Sequence, residues 1–378
     1  MHFTINKSSL VYALSHVNKA VSSKNTIPIL TGIKFEINES GLTLTGADSD
    51  ISIQIKVPLQ AEGKEIIKLF EVGAIVLPRY VFDIVRKLPA DEIEFKKTEK
   101  LSIFIKSGLS EFRINGYDVD EYPEIQAVSD KKSFYVESSL LRTMLRQTTF
   151  AISNNESRPI LTGVSWNLED DILKFYATDS HRLAVKEAVI ENAEEIKISG
   201  LVVPGKALKE LAKILEDYDS RVKIVASSNQ LYVEVDNIIF ISRILDGTYP
   251  DIPRIIPKQI ESEITLDRNQ LIDSIERASL IARDSRNNIV KLVTLENNLV
   301  EISSSSQELG NVTELVEIHS IKGEDVKISF NAKYVLEALN AIENDEIVIE
   351  FTGALSPFML KSVNQENLLH LILPIRTH

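Results

Sequence analysis

The sequence predicts an α+β fold in which one domain of helices and antiparallel strands occurs three times in tandem. The pentapeptide PILTG stands at residues 28–32 and again at 159–163, and an amphipathic helical pattern precedes each copy. Alternating strand patterns follow both copies and recur in the last third of the chain. The period of about 125–130 residues is too long for a solenoid repeat and fits whole domains.

Each repeat begins with a predicted helix followed by two strands. In the first helix, Leu10, Leu14 and Val17 recur at helical spacing, with Ser8 and Ser9 as candidate N-caps. The helices are expected at residues 6–22, 136–153 and 266–283. The strand pairs are expected at 32–50, 163–181 and 291–307, with PILTG as the start of the first strand.

Each repeat continues with a second helix, a polar turn and further strands. The helix-and-strand segments are expected at 77–96, 203–225 and 330–351. Hairpins are expected at 101–114, 231–244 and 357–375. Polar or proline-bearing joints at 127–133 and 254–263 separate the repeats, so we expect domains at 1–126, 127–255 and 256–378.

The composition and the missing motifs narrow the functional classes. The chain has no cysteine, which excludes disulfides and Cys-ligated metals and favours a reducing interior. The N-terminus lacks a signal-peptide pattern and no apolar run is long enough for a membrane span, so we expect a cytoplasmic protein without a membrane partner. Phosphate-binding glycine loops, an HExxH helix and metal-like histidine spacings are also missing, so no cofactor or metal is expected.

One stretch contains the three residue types of a hydrolase triad, namely Asp179, Ser180 and His181. Consecutive strand residues point to opposite faces, whereas the members of a triad converge in space. We therefore interpret this stretch as a polar strand end or turn. We expect that the protein is not an enzyme.

The distribution of charge is more informative than its sum. The formal net charge is −13, yet the six predicted helical segments together carry +6 and the rest of the chain −19. If the helices line one surface, that surface is basic on an acidic body and attracts a polyanion such as nucleic acid. Two alternatives stay open at this point. The basic side chains could simply be solvated, and the protein could be an interaction or carbohydrate-binding scaffold that does not bind DNA.

The three tandem α+β domains and three segments closely resemble the bacterial DNA polymerase III beta subunit family, the DNA sliding clamps. These segments are ATDSHRLAV (177–185), DGTYPDIPRIIP (246–257) and LPIRT (373–377), and the resemblance covers the whole chain. It implies a head-to-tail homodimeric ring with helices inside and sheets outside. Such a ring encircles double-stranded DNA without reading its sequence and gives the replicative polymerase processivity without catalysis. The resemblance also implies a cytoplasmic, nucleoid-associated protein that a clamp loader opens and closes with ATP.

The resemblance further implies a hydrophobic pocket for short linear peptides of the polymerase III catalytic subunit, the clamp loader, other polymerases and repair proteins. Family members more often have glycine at Ser180 and methionine at Leu373 and Ile375, so the preferred peptide is not implied. Arg182 or Arg254 is available to orient polar groups of the peptide. The pocket residues carried over are Leu161, Thr178, Ser180, His181, Arg182, Leu183, Pro250, Arg254, Ile255, Asn331, Tyr334, Leu355, Pro357, Leu371, Leu373, Pro374, Ile375 and Arg376.

Two more sets of residues follow from the same resemblance. Phosphate contacts position DNA without reading its sequence, and basic residues on the helices and their loops are expected to make them. The DNA-contacting residues carried over are Lys24, Arg79, Arg86, Arg158 and Lys206. The dimer contact is expected between Phe112 and Ile114 of one subunit and Leu280 and Ile281 of the other.

Overall fold

The structure is a computed structural model, and it describes residues 1–22, 27–98, 101–124, 132–283, 288–363 and 365–376. Helices and antiparallel strands alternate along the chain as predicted, so the α+β class is confirmed. The α-helices are α1 (Lys7–Val17), α2 (Val81–Lys87), α3 (Ser138–Thr148), α4 (Gly205–Leu215), α5 (Ile252–Ile255), α6 (Arg268–Ala282) and α7 (Ala332–Ala341). None of the helices in the described ranges is both long and apolar enough to cross a membrane.

The strands fall into the same three successive groups as the repeats. Those of the first repeat are β1 (His2–Asn6), β2 (Gly32–Asn38), β3 (Gly41–Ala47), β4 (Ile51–Val57), β5 (Gln60–Ala61), β6 (Lys64–Glu65), β7 (Ile67–Glu71), β8 (Gly73–Pro78), β9 (Glu92–Lys97), β10 (Ser102–Ser107) and β11 (Ser110–Asn115). Those of the second are β12 (Phe134–Glu137), β13 (Gly163–Glu169), β14 (Ile172–Thr178), β15 (Arg182–Val189), β16 (Ile198–Pro204), β17 (Arg221–Ala226), β18 (Gln230–Val235) and β19 (Ile238–Arg243). Those of the third are β20 (Ser262–Asp267), β21 (Ile289–Leu295), β22 (Leu299–Ser306), β23 (Gly310–Gly323), β24 (Lys327–Asn331), β25 (Glu346–Phe351), β26 (Phe358–Ser362) and β27 (Gln365–Ile372).

The repeated PILTG segment is not the strand start that the sequence suggested. Its first four residues form a short 3₁₀ helix in both copies, Pro28–Thr31 and Pro159–Thr162, in which the threonine hydroxyl donates to the proline carbonyl at 2.7 Å. The strand begins only at the glycine. A Cβ at Gly32 would lie 2.9 Å from the Leu77 carbonyl oxygen, and one at Gly163 would lie 2.6 Å from that of Val203. Proline therefore starts the turn and glycine permits the close approach of the neighbouring strand.

The predicted N-cap of the first helix was also wrong. Asn6, in an extended conformation, caps α1, and its side-chain oxygen accepts a hydrogen bond from the backbone N–H of Ser9 at 3.3 Å. Ser8 and Ser9 lie inside the first turn, where the serine hydroxyl of Ser8 donates to Asn6 instead of capping the helix. Asn6, the last residue of β1, caps the helix because an N-cap residue needs non-helical dihedral angles.

The chain forms two compact units. The first comprises Met1–Ser139 and Lys213–Ile244, and the second comprises Leu140–Ala212 and Leu245–His378. The central repeat is shared between the units because its strands join sheets with different neighbours. Of the predicted domain limits, the one between residues 126 and 127 lies outside the described residues, and the one after residue 255 falls at the end of α5.

Sheets in both units run from one repeat into the next. In the first unit, an eight-stranded sheet has the order β12-β17-β18-β19-β4-β3-β2-β8, and a five-stranded sheet has the order β11-β10-β9-β1-β7. In the second unit, a twelve-stranded sheet has the order β16-β13-β14-β15-β27-β26-β25-β20-β23-β22-β21-β24. The joint between the first two repeats pairs Phe240 of β19 with Ile53 of β4. The joint between the last two pairs His370 of β27 with Ala184 of β15.

Large apolar side chains fill the space between the sheets and the helices. In the first unit, Phe3 and Phe95 stack with ring centroids 5.2 Å apart. In the second unit, Trp166 and Phe175 stack at 4.2 Å. All four side chains are fully buried. The alternating apolar residues of the predicted strands are therefore those that face the core.

Candidate functional site

The ATDSHRL stretch forms a tight polar turn between β14 and β15, as predicted. One carboxylate oxygen of Asp179 accepts from the backbone N–H groups of His181 and Arg182, at 2.9 and 3.1 Å. The hydroxyl of Thr178 donates to the Arg182 carbonyl at 2.6 Å and accepts from the Ser180 N–H at 3.1 Å. The second oxygen of Asp179 contacts the guanidinium of Arg182 at 3.0 Å. Both oxygens of this carboxylate therefore have structural partners in the turn.

Ser180 lies at the tip of this turn in a left-handed conformation, with φ at +77°. Residues other than glycine pay about 1–2 kcal/mol for this conformation. Glycine, which the resemblance makes the expected residue at this position, adopts positive φ without that cost. Ser180 is exposed, so the serine adds a hydroxyl at the surface of the site.

Arg182 is the buried centre of the site and not a free arginine. Its side chain is only 6% exposed, and its guanidinium contacts the carboxylates of Asp179 and Glu337 and the carbonyl oxygen of Phe150. The rings of Tyr334 and Phe150 cover it, with centroids 4.6 and 5.4 Å from the guanidinium carbon. Arg182 therefore holds α7 against the start of β15.

Arg254 has the opposite character. Its side chain is 86% exposed, and its guanidinium pairs with the carboxylate of Asp251, three residues earlier, at 2.9 Å. From the sequence, either of these two arginines was available to orient a bound peptide. The structure corrects this for Arg182, because its guanidinium is already enclosed by protein groups. Arg254 is the arginine of the pair that faces solvent.

Two further predicted residues belong to the start of α7. The side-chain oxygen of Asn331 accepts from the Lys333 N–H at 2.9 Å and caps the helix. Tyr334 lies one turn later, between the Arg182 guanidinium and the imidazole of His181, and its ring stacks on the imidazole with centroids 6.3 Å apart. The tyrosine is half-buried and the histidine is exposed, so this stack forms a rim above a buried base.

An apolar floor lies next to this rim, and we define it as Leu183, Val185, Ile252, Met359 and Leu371, all buried. Strand pairing assembles it, because Leu371 of β27 faces Leu183 of β15 on one side and Met359 of β26 on the other. Three of its members, Val185, Ile252 and Met359, were missed by the sequence analysis. Ile252 could have been found, since it lies within the segment 246–257. Met359 could not, because only the sheet brings it there.

Tyr249 ties the floor to the ATDSHRL turn. Its hydroxyl accepts from the Thr178 N–H at 3.1 Å, and its ring packs on the apolar floor. Burial raises the pKa of Tyr249 above its ordinary value, so the phenol stays protonated. Tyr249, which lies in the segment 246–257, thus has a structural role in the second repeat.

Three other apolar residues of the predicted pocket are exposed. Leu355 is 64% exposed, Ile255 46% and Leu373 38%, whereas an ordinary core would bury them. The segment after β27 is tied down by two backbone bonds, from the Leu373 N–H to the His181 carbonyl at 2.9 Å and from the Ile375 N–H to the Ser329 carbonyl at 2.7 Å. The arrangement can offer apolar surface and a nearby exposed arginine to an extended chain.

The other predicted pocket residues are more peripheral. Leu161 is buried in the PILT turn, and its carbonyl accepts from the Ser153 N–H at 2.8 Å. Pro357 precedes β26, and its carbonyl accepts from the Thr352 hydroxyl at 2.6 Å. Pro374 is half-buried, while Pro250 and Arg376 are exposed. Among the described residues, no group of His, Asp and Glu side chains is arranged to hold a metal ion.

Four of the five predicted DNA-contacting residues are described, and they lie on helices or just before them. Lys24 is outside the described residues. In the first unit, Arg79 precedes α2 and is half-buried, and Arg86 on α2 is exposed, 3.7 Å from Asp83. In the second unit, Arg158 precedes the PILT turn and Lys206 lies in the first turn of α4, both exposed.

The predicted dimer residues lie on two surfaces, which are described separately. In the first unit, Phe112 is 39% exposed on β11, whereas Ile114 is 4% exposed and already packed within the unit. A groove of about 300 Å³ borders Phe112, and Tyr80, Ile84 and Leu88 contribute to its lining. In the second unit, Leu280 is 56% exposed near the end of α6 and Ile281 is half-buried.

The contrast between the two arginines gives a prediction for stability. Arg182→Ala removes a buried cation and leaves two carboxylates without it, so we expect a loss of about 3–5 kcal/mol in the free energy of unfolding. The matched variant Arg254→Ala removes an exposed arginine and should change it by less than about 0.5 kcal/mol. Urea unfolding followed by circular dichroism measures both. Equal stabilities of the two variants would contradict the buried network.

His370 gives a prediction for the dependence of stability on pH. Burial lowers its pKa from 6.5 to about 4, and the nearby charges of Arg182 and Lys186 act in the same direction. Hydrogen bonds that favour the charged form oppose this shift in part. Between these two pH values the unfolded chain binds a proton that the folded chain does not, so stability falls as the pH drops through this window. His370→Gln should remove this dependence, which amounts to about 3 kcal/mol at most.

Urea midpoints at about pH 7 and pH 4.5 test the pH prediction by the linkage relation. The control is His319→Gln, since His319 is exposed and its variant should keep the pH dependence of the unaltered chain. If His370→Gln loses as much stability on acidification as the unaltered chain, this histidine is not the responsible group.

Comparison with known proteins identifies the family. The models of the DNA polymerase III beta subunit match the chain with the N-terminal domain at residues 1–126, the central domain at 135–251 and the C-terminal domain at 253–376. A beta sliding clamp of Staphylococcus epidermidis is 44% identical over the whole of both chains.

Solved structures agree with the sequence relatives. The DNA polymerase sliding clamp of Bacillus subtilis superposes with a TM-score of 0.97 at 44% identity, and both chains are fully covered. The DNA polymerase III beta chain of Streptococcus pneumoniae superposes with a TM-score of 0.95 at 35% identity, again over the whole of both chains. The fold is thus the three-domain beta clamp fold, and the chain belongs to the DNA polymerase III beta subunit family.

Proposed function

We propose that the protein is a DNA sliding clamp, a homodimeric ring that encircles duplex DNA and tethers the replicative polymerase. The observation that carries this function is the similarity to three consecutive clamp domains over the full chain, at 44% identity to a beta sliding clamp. The proposed role is non-catalytic, because encircling and tethering require no reaction of the clamp. It places the protein with the nucleoid in the cytoplasm, with domain limits at 1–126, 127–255 and 256–378.

The strand order supports a ring made from two copies. Inside the chain, the last strand of one repeat pairs with an edge strand of the repeat before it, as β19 does with β4 and β27 with β15. The same pattern leaves two edges. Among the described strands, β11 pairs only with β10, and residues 310–317 of β23 pair only with β22. A head-to-tail second copy would pair β11 with β23 and satisfy the backbone groups of both edges.

The charge distribution supports sliding rather than tight binding. Arg86, Arg158 and Lys206 are exposed at helices or just before them, while the chain as a whole carries −13. A topological link needs no strong grip, and weak phosphate contacts permit movement along DNA. The proposed DNA contacts are therefore sequence-independent and made by Arg79, Arg86, Arg158, Lys206 and Lys24.

The site around the apolar floor is proposed as the docking site for short linear peptides of the polymerase III catalytic subunit, the clamp loader, other polymerases and repair proteins. The buried floor, the exposed Leu355, Ile255 and Leu373, and the solvent-facing Arg254 suit an extended peptide with apolar anchors and a polar group. Arg182 contributes by positioning Tyr334, and not by direct contact with the peptide.

Retention on DNA tests the clamp function. When a clamp loader and ATP load the protein onto a nicked circular DNA, we expect the protein to stay on the circle and to leave a linearised DNA through its ends. Gel filtration of labelled protein with each DNA measures this. A protein–protein scaffold would be retained on neither DNA, and equal loss from both would contradict the ring.

Removal of residues 374–378 tests the peptide site. The deletion removes Pro374 and Ile375, together with the backbone bond from Ile375 to Ser329, so we expect at least a tenfold weaker affinity (~1.4 kcal/mol) for a clamp-binding polymerase peptide. The dimer should persist, because the deletion leaves β11 and β23 intact. Fluorescence polarisation measures the affinity, with Val189→Ala, an exposed apolar residue elsewhere, as control. An unchanged affinity would place the site elsewhere.

A further inference from the structure

We propose that Leu109 of one copy packs against Leu315 of a second copy, at the end of the ladder between β11 and β23. This inference rests on the proposed homodimer and names the register and an apolar contact of its interface. Leu109 is fully exposed in the turn between β10 and β11, and Leu315 is 58% exposed on β23. These two leucines, one at the turn before an edge strand and one on an edge strand, need a partner surface to be covered.

The internal joint between the first two repeats supplies the geometry of the first strand. The β10–β11 hairpin and the β18–β19 hairpin both have two-residue turns, closed by Ser107 with Ser110 and by Val235 with Ile238. Counting from these turns, Phe112 corresponds to Phe240 and Leu109 corresponds to Asn237.

The ladders of the first and third repeats give the position on the second strand. In the first repeat, Gly32 faces Pro78 just before α2, and in the third, Ile289 faces Asn331 just before α7. From each pair we move three residues along the first strand of the repeat, and then across to the two strands next to it. This leads to Ile55 in the first repeat and to Glu314 in the third. Leu315 therefore corresponds to Lys56.

At the internal joint these two positions are in contact. The Lys56 N–H donates to the Asn237 carbonyl at 3.0 Å, and the Asn237 side chain donates to the Lys56 carbonyl at 3.0 Å. The same register between two copies places Leu109 directly opposite Leu315, and directly opposite side chains of an antiparallel pair share one face. A polar contact inside the chain thus becomes an apolar contact between copies.

Burial of the neighbouring pair supports this register. At the internal joint, Phe240 is 1% exposed and Ile53 is fully buried. Their counterparts in the proposed interface are Phe112, which is 39% exposed, and Val312, which is half-buried. These two side chains are exposed as expected for an edge strand that lacks its partner strand. The proposed interface has a leucine pair where the internal joint has Asn237 and Lys56. This difference favours pairing of the edge strand with a second copy over pairing with other edges.

Charge exchange between the two positions tests the pair. Every copy carries both leucines, so Leu109→Arg and Leu315→Glu each alter both interfaces of the dimer. We expect each single variant to raise the dimer Kd at least about tenfold, and the double variant to return it to within about threefold, because opposite charges then face each other. Sedimentation equilibrium measures the Kd. Val189→Glu, at an exposed position off both edges, should leave it unchanged.

Leu280→Ala combined with Ile281→Ala tests the homodimer independently and should give monomers. If this variant is monomeric while the single leucine variants keep the original Kd, the dimer stands and the leucine pair is wrong. If the single variants weaken the dimer but the double variant does not recover, the proposed register is wrong. If all these variants remain dimeric, the proposed homodimer through β11 and β23 fails. Circular dichroism of each variant separates loss of folding from loss of association.

Discussion

The backbone ladder between repeats is the interaction on which the rest of the structure depends. An edge strand exposes a row of N–H and C=O groups, and a domain of this type has edges that must be covered. In this chain, β19 covers β4 and β27 covers β15. The sheets are therefore continuous across repeats, and the compact units follow the sheets rather than the repeats.

The same ladder creates the candidate peptide site. Leu183 and Leu371 are distant in the sequence, and the pairing of β15 with β27 brings them together as part of one apolar floor. Arg182 begins β15 and is enclosed by groups from α7 and from the chain before the PILT turn. The buried base of the candidate site comes from the joint between the second and third repeats. At the first joint, β4 places the more polar Ser52 and Gln54 opposite Ile241 and Ile239 of β19.

The buried arginine illustrates how one side chain can belong to a site without being available to a ligand. Each of the three guanidinium nitrogens has a partner, namely the two carboxylates and the carbonyl, and two aromatic rings cover the group. The cost of burying this charge is offset only while all partners are present. Arg182 therefore supports the shape of the site through Tyr334 and α7, and the exposed Arg254 supplies the accessible positive charge.

The sequence by itself determined the threefold repeat and the α+β class, because apolar periodicity and the recurrence of PILTG depend on local chain geometry. The resemblance to the family was carried by the segments 177–185, 246–257 and 373–377. The sequence also identified the ATDSHRL stretch as a turn. Only the tertiary structure decided that Asn6 caps the first helix, that Arg182 is enclosed and that Met359 joins the apolar floor. These outcomes depend on which strands pair and in which register. A residue's own neighbours in sequence do not fix that choice, since it is made by contacts between segments that are far apart along the chain.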